Sequence, residues 1–259
     1  MTRAASPTKA AKPKAAKPKA TKATAKPKAS VNAKASKAPA KAKPKAPAKA
    51  RATKAAAKPK RAYAGRTPEQ RRDERVERLR AAGLELFGTA GYGGTRIQAL
   101  CSEARVTARH FYELYPSTEA LFRDVYDDIS GGCLHSVAAA LGARAPAAER
   151  IQRGALAAVT YLLTDTRRAR VQCVESYTVS PAFQEHRDQV LQRYTELLAG
   201  VAAAQDLPLT PLQQHVSAAA MVAAADSVLA AHVRSPSTVS VDDCRACLTY
   251  LFSRVAGLS

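Results

Sequence analysis

The chain has 259 residues, 41 Lys and Arg against 21 Asp and Glu, and a formal net charge of +20. Residues 1–62 hold 17 Lys and 3 Arg with no acid, so the whole excess sits there, and residues 63–259 carry 21 Arg, no Lys and 21 acids. Five cysteines (Cys101, Cys133, Cys173, Cys244, Cys247) are too sparse and odd in number for a disulfide framework, which fits a reducing cytoplasm; no run reads as a signal peptide or a membrane span.

Residues 1–62 have eight prolines, like charges every two or three positions and almost no large apolar side chain. Such a segment cannot bury enough surface to offset its ordering entropy, so it is expected to be disordered. The unit Ala-Lys-Pro-Lys recurs at 11–14, 16–19, 25–28, 42–45 and 57–60 without a fixed long period, and each proline blocks helix propagation. Twenty cations on such a chain point to polyanions, with double-stranded DNA the leading partner, because each neutralised phosphate releases condensed counterions. A solubilising tail and an anionic membrane surface are the other readings of the same charge.

The remaining 197 residues read as helices throughout. Thr67-Pro68-Glu69-Gln70 supplies an N-cap, a proline in the first turn and Gln at the capping-box position. Val76, Leu79, Leu86 and Phe87 follow at helical spacing, and Gly91 ends the helix. Thr95 is expected to cap a short second helix that stops near Ala104. Thr107 is expected to cap a third through Leu114, which Pro116 terminates. Further helices are predicted near 118–130, 147–165, 167–179, 182–204, 210–233 and 240–256, with breaks at Gly131-Gly132, Pro146, Pro181, Pro208 and Pro236. Two short helices, a tight turn and a long supporting helix make a helix-turn-helix unit. In its third helix, Phe111 and Tyr115 share the inward face, which leaves Thr107, Arg109, His110 and Tyr112 to spread over the rest. A guanidinium pairs bidentately with guanine, and imidazole and hydroxyl groups reach base edges or phosphates.

The span 76–121 resembles the N-terminal DNA-binding domain of TetR-family transcriptional regulators. The likeness rests on Leu79, Ala81, Ala82, Leu86, Phe87, Gly91 and Tyr92, then Thr95, Val106-Thr107, Tyr112, the aromatic Tyr115 and Leu121. It implies that Thr95 and Tyr112 touch phosphates while Arg96, Thr107, Arg109 and His110 approach bases. Three positions depart from the family pattern. Arg105 stands where a turn glycine is usual, Thr118 where a phosphate-binding lysine is usual, and Arg109 where a small residue is usual. The tail is similar in composition to the tails of linker histones and of some bacterial nucleoid-associated proteins.

These readings give an all-α protein with three parts: a disordered basic tail (1–62), a helix-turn-helix DNA-binding domain (63–121) and a helical effector-binding and dimerisation domain (122–259). The family resemblance implies a homodimer through the last two long helices. Six alanines between 218 and 225 permit close helix approach near 210–233, and Leu248, Leu251, Phe252 and Val255 line the helix near 240–256. The resemblance also implies a small-molecule effector in the interior. Glu175, Tyr177, His186 and Asp226 are the polar groups in otherwise apolar helices that are suited to orient one.

Cys244-x-x-Cys247 has no second cysteine pair or nearby His/Cys cluster to complete a metal site, so its expected role is packing on one helix face. No Walker-type, HExxH or GxSxG motif occurs, and the five histidines show no local ligand pattern, so no enzyme activity, cofactor or metal is expected. The expected function is a sequence-specific DNA-binding regulator, an effector-responsive repressor acting in the cytoplasm at the nucleoid. The alternative is an architectural DNA-compacting protein in which the tail is the main functional element.

Overall fold

The structure is a computed structural model that describes residues 67–204 and 209–255; the disorder expected for residues 1–62 lies outside them. The first helix, α1, runs Pro68–Thr89, and both halves of the expected capping box are present: Thr67 accepts from Gln70 N–H and Gln70 accepts from Thr67 N–H at 2.8 Å. Helix α1 buries Leu79, Ala82, Gly83, Phe87 and Gly88, and Gly91 follows with φ 82°, the left-handed geometry in which glycine costs least.

Helices α2 (Ile97–Glu103) and α3 (Ala108–Leu114) form the short pair. Thr107 caps α3 as expected, accepting from His110 N–H at 3.3 Å. Thr95 does not cap α2. The N-cap is Arg96, without a side-chain bond, and the Thr95 hydroxyl instead donates to the Gly91 carbonyl at 2.7 Å, closing the loop ahead of it. Between the two helices, Arg105 takes φ 52° while its N–H and that of Val106 bond back to Ser102 and Cys101. The tight turn therefore forms with a non-glycine residue in the left-handed region, at about 1 kcal/mol. Arg105→Gly is expected to raise stability by about 0.5–1 kcal/mol in urea unfolding, the reverse of what the substitution does where φ is negative.

Helix α4 runs Thr118–Leu141, capped by Ser117, whose hydroxyl accepts from Ala120 N–H at 3.1 Å. It passes straight through Gly131-Gly132, where a break is expected from sequence. The apolar stripe Leu121, Phe122, Val125, Tyr126 and Ile129 continues as Cys133, Val137 and Leu141, so the helical period never lapses. Gly132 serves close approach: a Cβ there would stand 2.1 Å from the Tyr161 hydroxyl of α5 (Ala147–Leu163).

The helix expected over 167–179 is divided. Helix α6 covers Thr166–Cys173 with Asp165 as N-cap, Val174 leaves helical geometry, and Glu175–Thr178 forms a 3-10 turn. Two longer helices follow, α7 (Pro181–Ala203) and α8 (Pro211–Arg234), each opened by a hydroxyl cap and a proline, and α9 (Val241–Val255) closes the described chain.

The core begins with Phe87, Phe122 and Phe183, whose rings meet edge to face at 5.1–5.2 Å, and extends through Tyr126 to Val159, Leu162, Leu229 and Leu248. The boundary expected between residues 121 and 122 falls inside the continuous helix α4. Helix α8 contains a window apolar enough to cross a membrane by composition, a run the sequence reading did not recognise. In the fold it packs on α6, α7 and α9, burying Ala218, Met221, Leu229 and Ala230 while Leu212 and Val216 face outward.

Candidate nucleic-acid interface and effector cavity

Helix α3 is seven residues long and is held by its inner face. Phe111 is fully buried and Tyr115 is 8% exposed, and the Tyr115 hydroxyl donates to Asp124 of α4. Arg80 of α1 grips the same carboxylate with two bonds, Nε at 2.8 Å and Nη2 at 2.7 Å. These bonds hold the Asp124 carboxyl below its usual range, the Arg80 guanidinium contributing most, while burial and the Asp124 bond raise the Tyr115 phenol. Three helices thus converge on one carboxylate and fix the pitch of α3. The sequence reading missed Asp124 and Arg80 because the residues that meet here are 44 positions apart.

The outer face of α3 carries the residues expected to meet DNA. Arg109 and Tyr112 are exposed, the latter by 57%, and the Tyr112 ring rests edge-on against Phe111 at 5.6 Å. His110 is half-buried, with Nδ1 3.1 Å from the Thr107 hydroxyl, so the helix cap also sets the imidazole's orientation. Arg109 Nε donates to Glu113 Oε1 at 3.0 Å across one turn. Glu113 is a neighbour the sequence reading did not single out; it extends the guanidinium along the helix and competes with any phosphate for it. Arg96 is exposed at the start of α2, while Thr95 is half-buried with its hydroxyl committed to Gly91. Thr107, Arg109, His110 and Tyr112 are brought together on α3, with Arg96 and Thr95 contributed from the α2 end.

This geometry has known counterparts. The family model for bacterial regulatory proteins of the tetR family matches residues 79–125, which span the end of α1, α2, α3 and the start of α4. Residues 79–125 of this chain are thus similar to that family. Solved TetR-type structures share the fold over most of their length. The fatty acid degradation regulator FadR from Bacillus halodurans aligns at TM-score 0.63 and 14% identity over 74% of this chain and 97% of that one. A FadR from Bacillus subtilis, solved in complex with stearoyl-CoA, aligns at 0.61 and 14% over 71% and 98%. A tetR-family regulatory protein from Rhodococcus RHA1 aligns at 0.56 and 21% over 71% and 96%. No curated protein sequence matches the chain.

Beyond the segment matched, α4 to α9 line a cavity of about 60 Å³, mainly with aliphatic groups such as Val137, Leu162, Leu198 and Val222, together with Cys133, Cys173, Gln172 and Asp226. Gln172 is 6% exposed and its Oε1 is buried without a hydrogen-bond partner. Burial pushes the Cys173 thiol well up, and that of Cys133 to about 11, so both stay neutral.

The four residues expected to meet an effector separate in space. Asp226 lines this cavity, accepting from Tyr177 Oη at 2.6 Å and from Arg187 Nη2 at 2.9 Å. Tyr177 lines a second chamber beside it, and burial together with the Asp226 bond pushes its phenol up to about 12. Glu175 lies away from both. Its carboxylate accepts from Tyr92 N–H at 2.9 Å and from Arg170 at 3.0 Å, tying the segment after α6 to the loop that follows α1. His186 pairs with Asp127 of α4 at 2.5 Å and also lines neither chamber.

Sequence reasoning missed Arg187, although a signal was present. It sits four residues after Phe183 and three before Val190, on the buried stripe of α7, where a guanidinium requires a partner. The CxxC pair is split, Cys244 being buried and Cys247 exposed, rather than sharing one packed face. Among the described residues no cluster of His, Cys, Asp and Glu is suited to hold a metal.

Proposed function

We propose that this protein is a sequence-reading transcriptional regulator, a homodimer that an effector releases from DNA. The observation that carries the reading is the exposed set Thr107, Arg109, His110 and Tyr112 on a helix whose inner face is pinned by Tyr115, Asp124 and Arg80. Pinning matters because base readout needs donors at fixed positions in the major groove, and a rocking helix would supply only non-specific charge. Residues 63–121 act as the reader and 122–259 as the effector and dimer part, with α4 belonging to both.

Dimerisation through α8 and α9 is supported by the apolar groups left outside: Leu212 at 72% exposure, Val216 at 57% and Tyr250 at 60%, with Ala219, Ala220 and Ala223 between the first two and the end of the face. Two copies would place two α3 helices for half-sites one helical turn, or a multiple of it, apart. A guest in the inner cavity can shift the α3 pair only as far as it prefers the free geometry over the DNA-bound one. The lysine-rich residues 1–62 add sequence-independent affinity and replace the phosphate contact absent at Thr118. The protein acts in the cytoplasm, at the nucleoid.

Two substitutions separate reading from positioning. Arg109→Ala is expected to cost about 1–3 kcal/mol at one base position of the preferred site and little elsewhere. Tyr112→Phe is expected to weaken binding evenly across sequences. Selection of bound fragments from a random pool, followed by quantitative binding of the two variants, makes the comparison. Equal weakening of all sequences by Arg109→Ala would remove Arg109 from base readout. The architectural alternative draws on the tail's composition and differs in outcome: it predicts length-dependent, sequence-tolerant binding with no preferred site.

A further inference from the structure

Helix α3 carries one arginine and one acid, Arg109 and Glu113, so with His110 neutral its formal charge is zero. A helix that met DNA by charge alone would not be composed this way, because every phosphate repels the carboxylate. The placement of the pair is equally specific. Phe111 is fully buried, and Arg109 and Glu113 each stand two residues from it, about 200° round the helix, on the line farthest from the core. Both are exposed, and the bond from Tyr115 to Asp124 holds that line in a fixed direction. In the docking proposed above, this line faces the floor of the major groove, where the base edges lie, with His110 and Tyr112 to its two sides.

The bond between the two side chains decides which atoms are left for DNA. Arg109 Nε donates to Glu113 Oε1 at 3.0 Å, which occupies the side of the guanidinium and leaves its two terminal nitrogens for another partner. Those nitrogens form the end-on fork that matches guanine O6 and N7. The second oxygen of Glu113, Oε2, takes no part in this bond, and a carboxylate oxygen only accepts. On the groove floor the donors open to it are cytosine N4 and adenine N6. Adenine N6 lies between two acceptors, its own N7 and the O4 of the paired thymine, and both repel a carboxylate. Cytosine N4 has an acceptor on one side only, the O6 of its partner guanine, and is the better match.

We infer that Glu113 is a specificity-determining residue, accepting from the N4 amino group of a cytosine one or two base pairs from the guanine that Arg109 reads. This rests on the reading that α3 enters the major groove, and it adds a second base to the one assigned to Arg109. Four residues advance α3 by about 6 Å, against about 3.4 Å per base pair, which sets the spacing. The carboxylate bonds one base while holding the guanidinium over the other, so the two positions are read as a unit. It also works by exclusion: guanine or thymine in the cytosine's place sets an acceptor against the carboxylate.

The test is selection of bound duplexes from a random pool, with competitor DNA present, by the full-length protein and by full-length Glu113→Gln and Glu113→Ala. Binding isotherms on the selected site, with each of the four bases at the cytosine position, follow. Wild type is expected to prefer cytosine there by about five- to a hundredfold. Glu113→Gln is expected to switch that position to adenine, since an amide pairs with adenine N6 and N7, and to keep the guanine preference, since the amide oxygen still accepts from Arg109. Glu113→Ala is expected to bind all four bases there within about threefold, and to hold random duplex about two- to threefold more tightly because a charge that repels phosphate is gone. The side chain points away from the core, so both variants are expected to melt with wild type.

Selection of the wild-type site by both variants would overturn the assignment and leave α3 as the reader. A weaker guanine preference in Glu113→Gln with no gain of adenine would overturn it as well, since Glu113 would then only hold Arg109. Absence of any preferred site for wild type would overturn the inference and the sequence-reading function together.

Discussion

Asp226→Ala lowers the stability of the folded chain by about 3–5 kcal/mol, one of the largest losses any single substitution in this protein is expected to cause. The carboxylate is 8% exposed and its partner Arg187 is 5% exposed, so removing the acid leaves a buried guanidinium whose remaining carboxylate is the exposed Asp188, at the longer distance of 3.9 Å. It also removes the acceptor of the Tyr177 hydroxyl, which donates to Asp226 at 2.6 Å. Ser176 remains as an acceptor for Arg187 Nε, but a neutral hydroxyl does not offset a buried charge. For a body of this size each kcal/mol moves the melting temperature by roughly 2–4 °C.

Urea unfolding of wild type, Asp226→Ala and the double variant Arg187→Met/Asp226→Leu measures the effect. The double variant is expected to recover most of the loss, because a well-packed apolar pair of similar volume removes both desolvation costs at once. A loss below about 1 kcal/mol in Asp226→Ala would mean that water reaches the pair and screens it.

Removal of residues 1–62 takes away 20 positive charges and leaves a body with no lysine and no net charge. If the tail neutralises roughly six to ten phosphates, the slope of log affinity against log salt should become shallower by about 5 to 9 on deletion. Affinity at low salt should fall by several orders of magnitude, whereas the ratio between preferred and random DNA should stay the same, because the tail strengthens both equally. Filter binding or fluorescence anisotropy across 50–400 mM salt, with specific and random duplexes of equal length, separates the two quantities. An unchanged slope would show that the tail has another partner.

Local signals in the sequence located the helix ends well. Thr67, Thr107, Ser117, Ser180 and Thr210 each precede a helix and each side chain caps it, since a hydroxyl that accepts from N–H two or three residues on is decided by neighbours alone. Where tertiary packing chose, the local signal misled. Gly131-Gly132 reads as a break, yet the aliphatic stripe continues across it, and the tyrosine that makes glycine necessary at 132 lies on the next helix. Thr95 has the cap residue's chemistry, but its hydroxyl donates to the Gly91 carbonyl and Arg96 takes the N-cap position of α2.

The site divides the same way. The outward residues of α3 follow from the 3.6-residue period once Phe111 and Tyr115 are placed inside. The carboxylate that fixes the helix, Asp124, and the guanidinium that pairs with Asp226 come from distant segments and were not legible as partners. Glu175 shows the converse: it was read as a ligand group because it is acidic in an apolar stretch, and its acid is committed to the Tyr92 backbone of the reader. That bond makes Glu175 a direct tie between the segment after α6 and the loop ahead of α2.

The claim that α3 reads sequence is tested most directly by a footprint on genomic fragments, run with the full chain and with residues 63–259 across a salt series. Both forms are expected to protect the same short palindrome, the shorter one more weakly and with a shallower salt dependence. Protection by the full chain alone, spread without a preferred site, would contradict the account and make the lysine-rich segment the functional element.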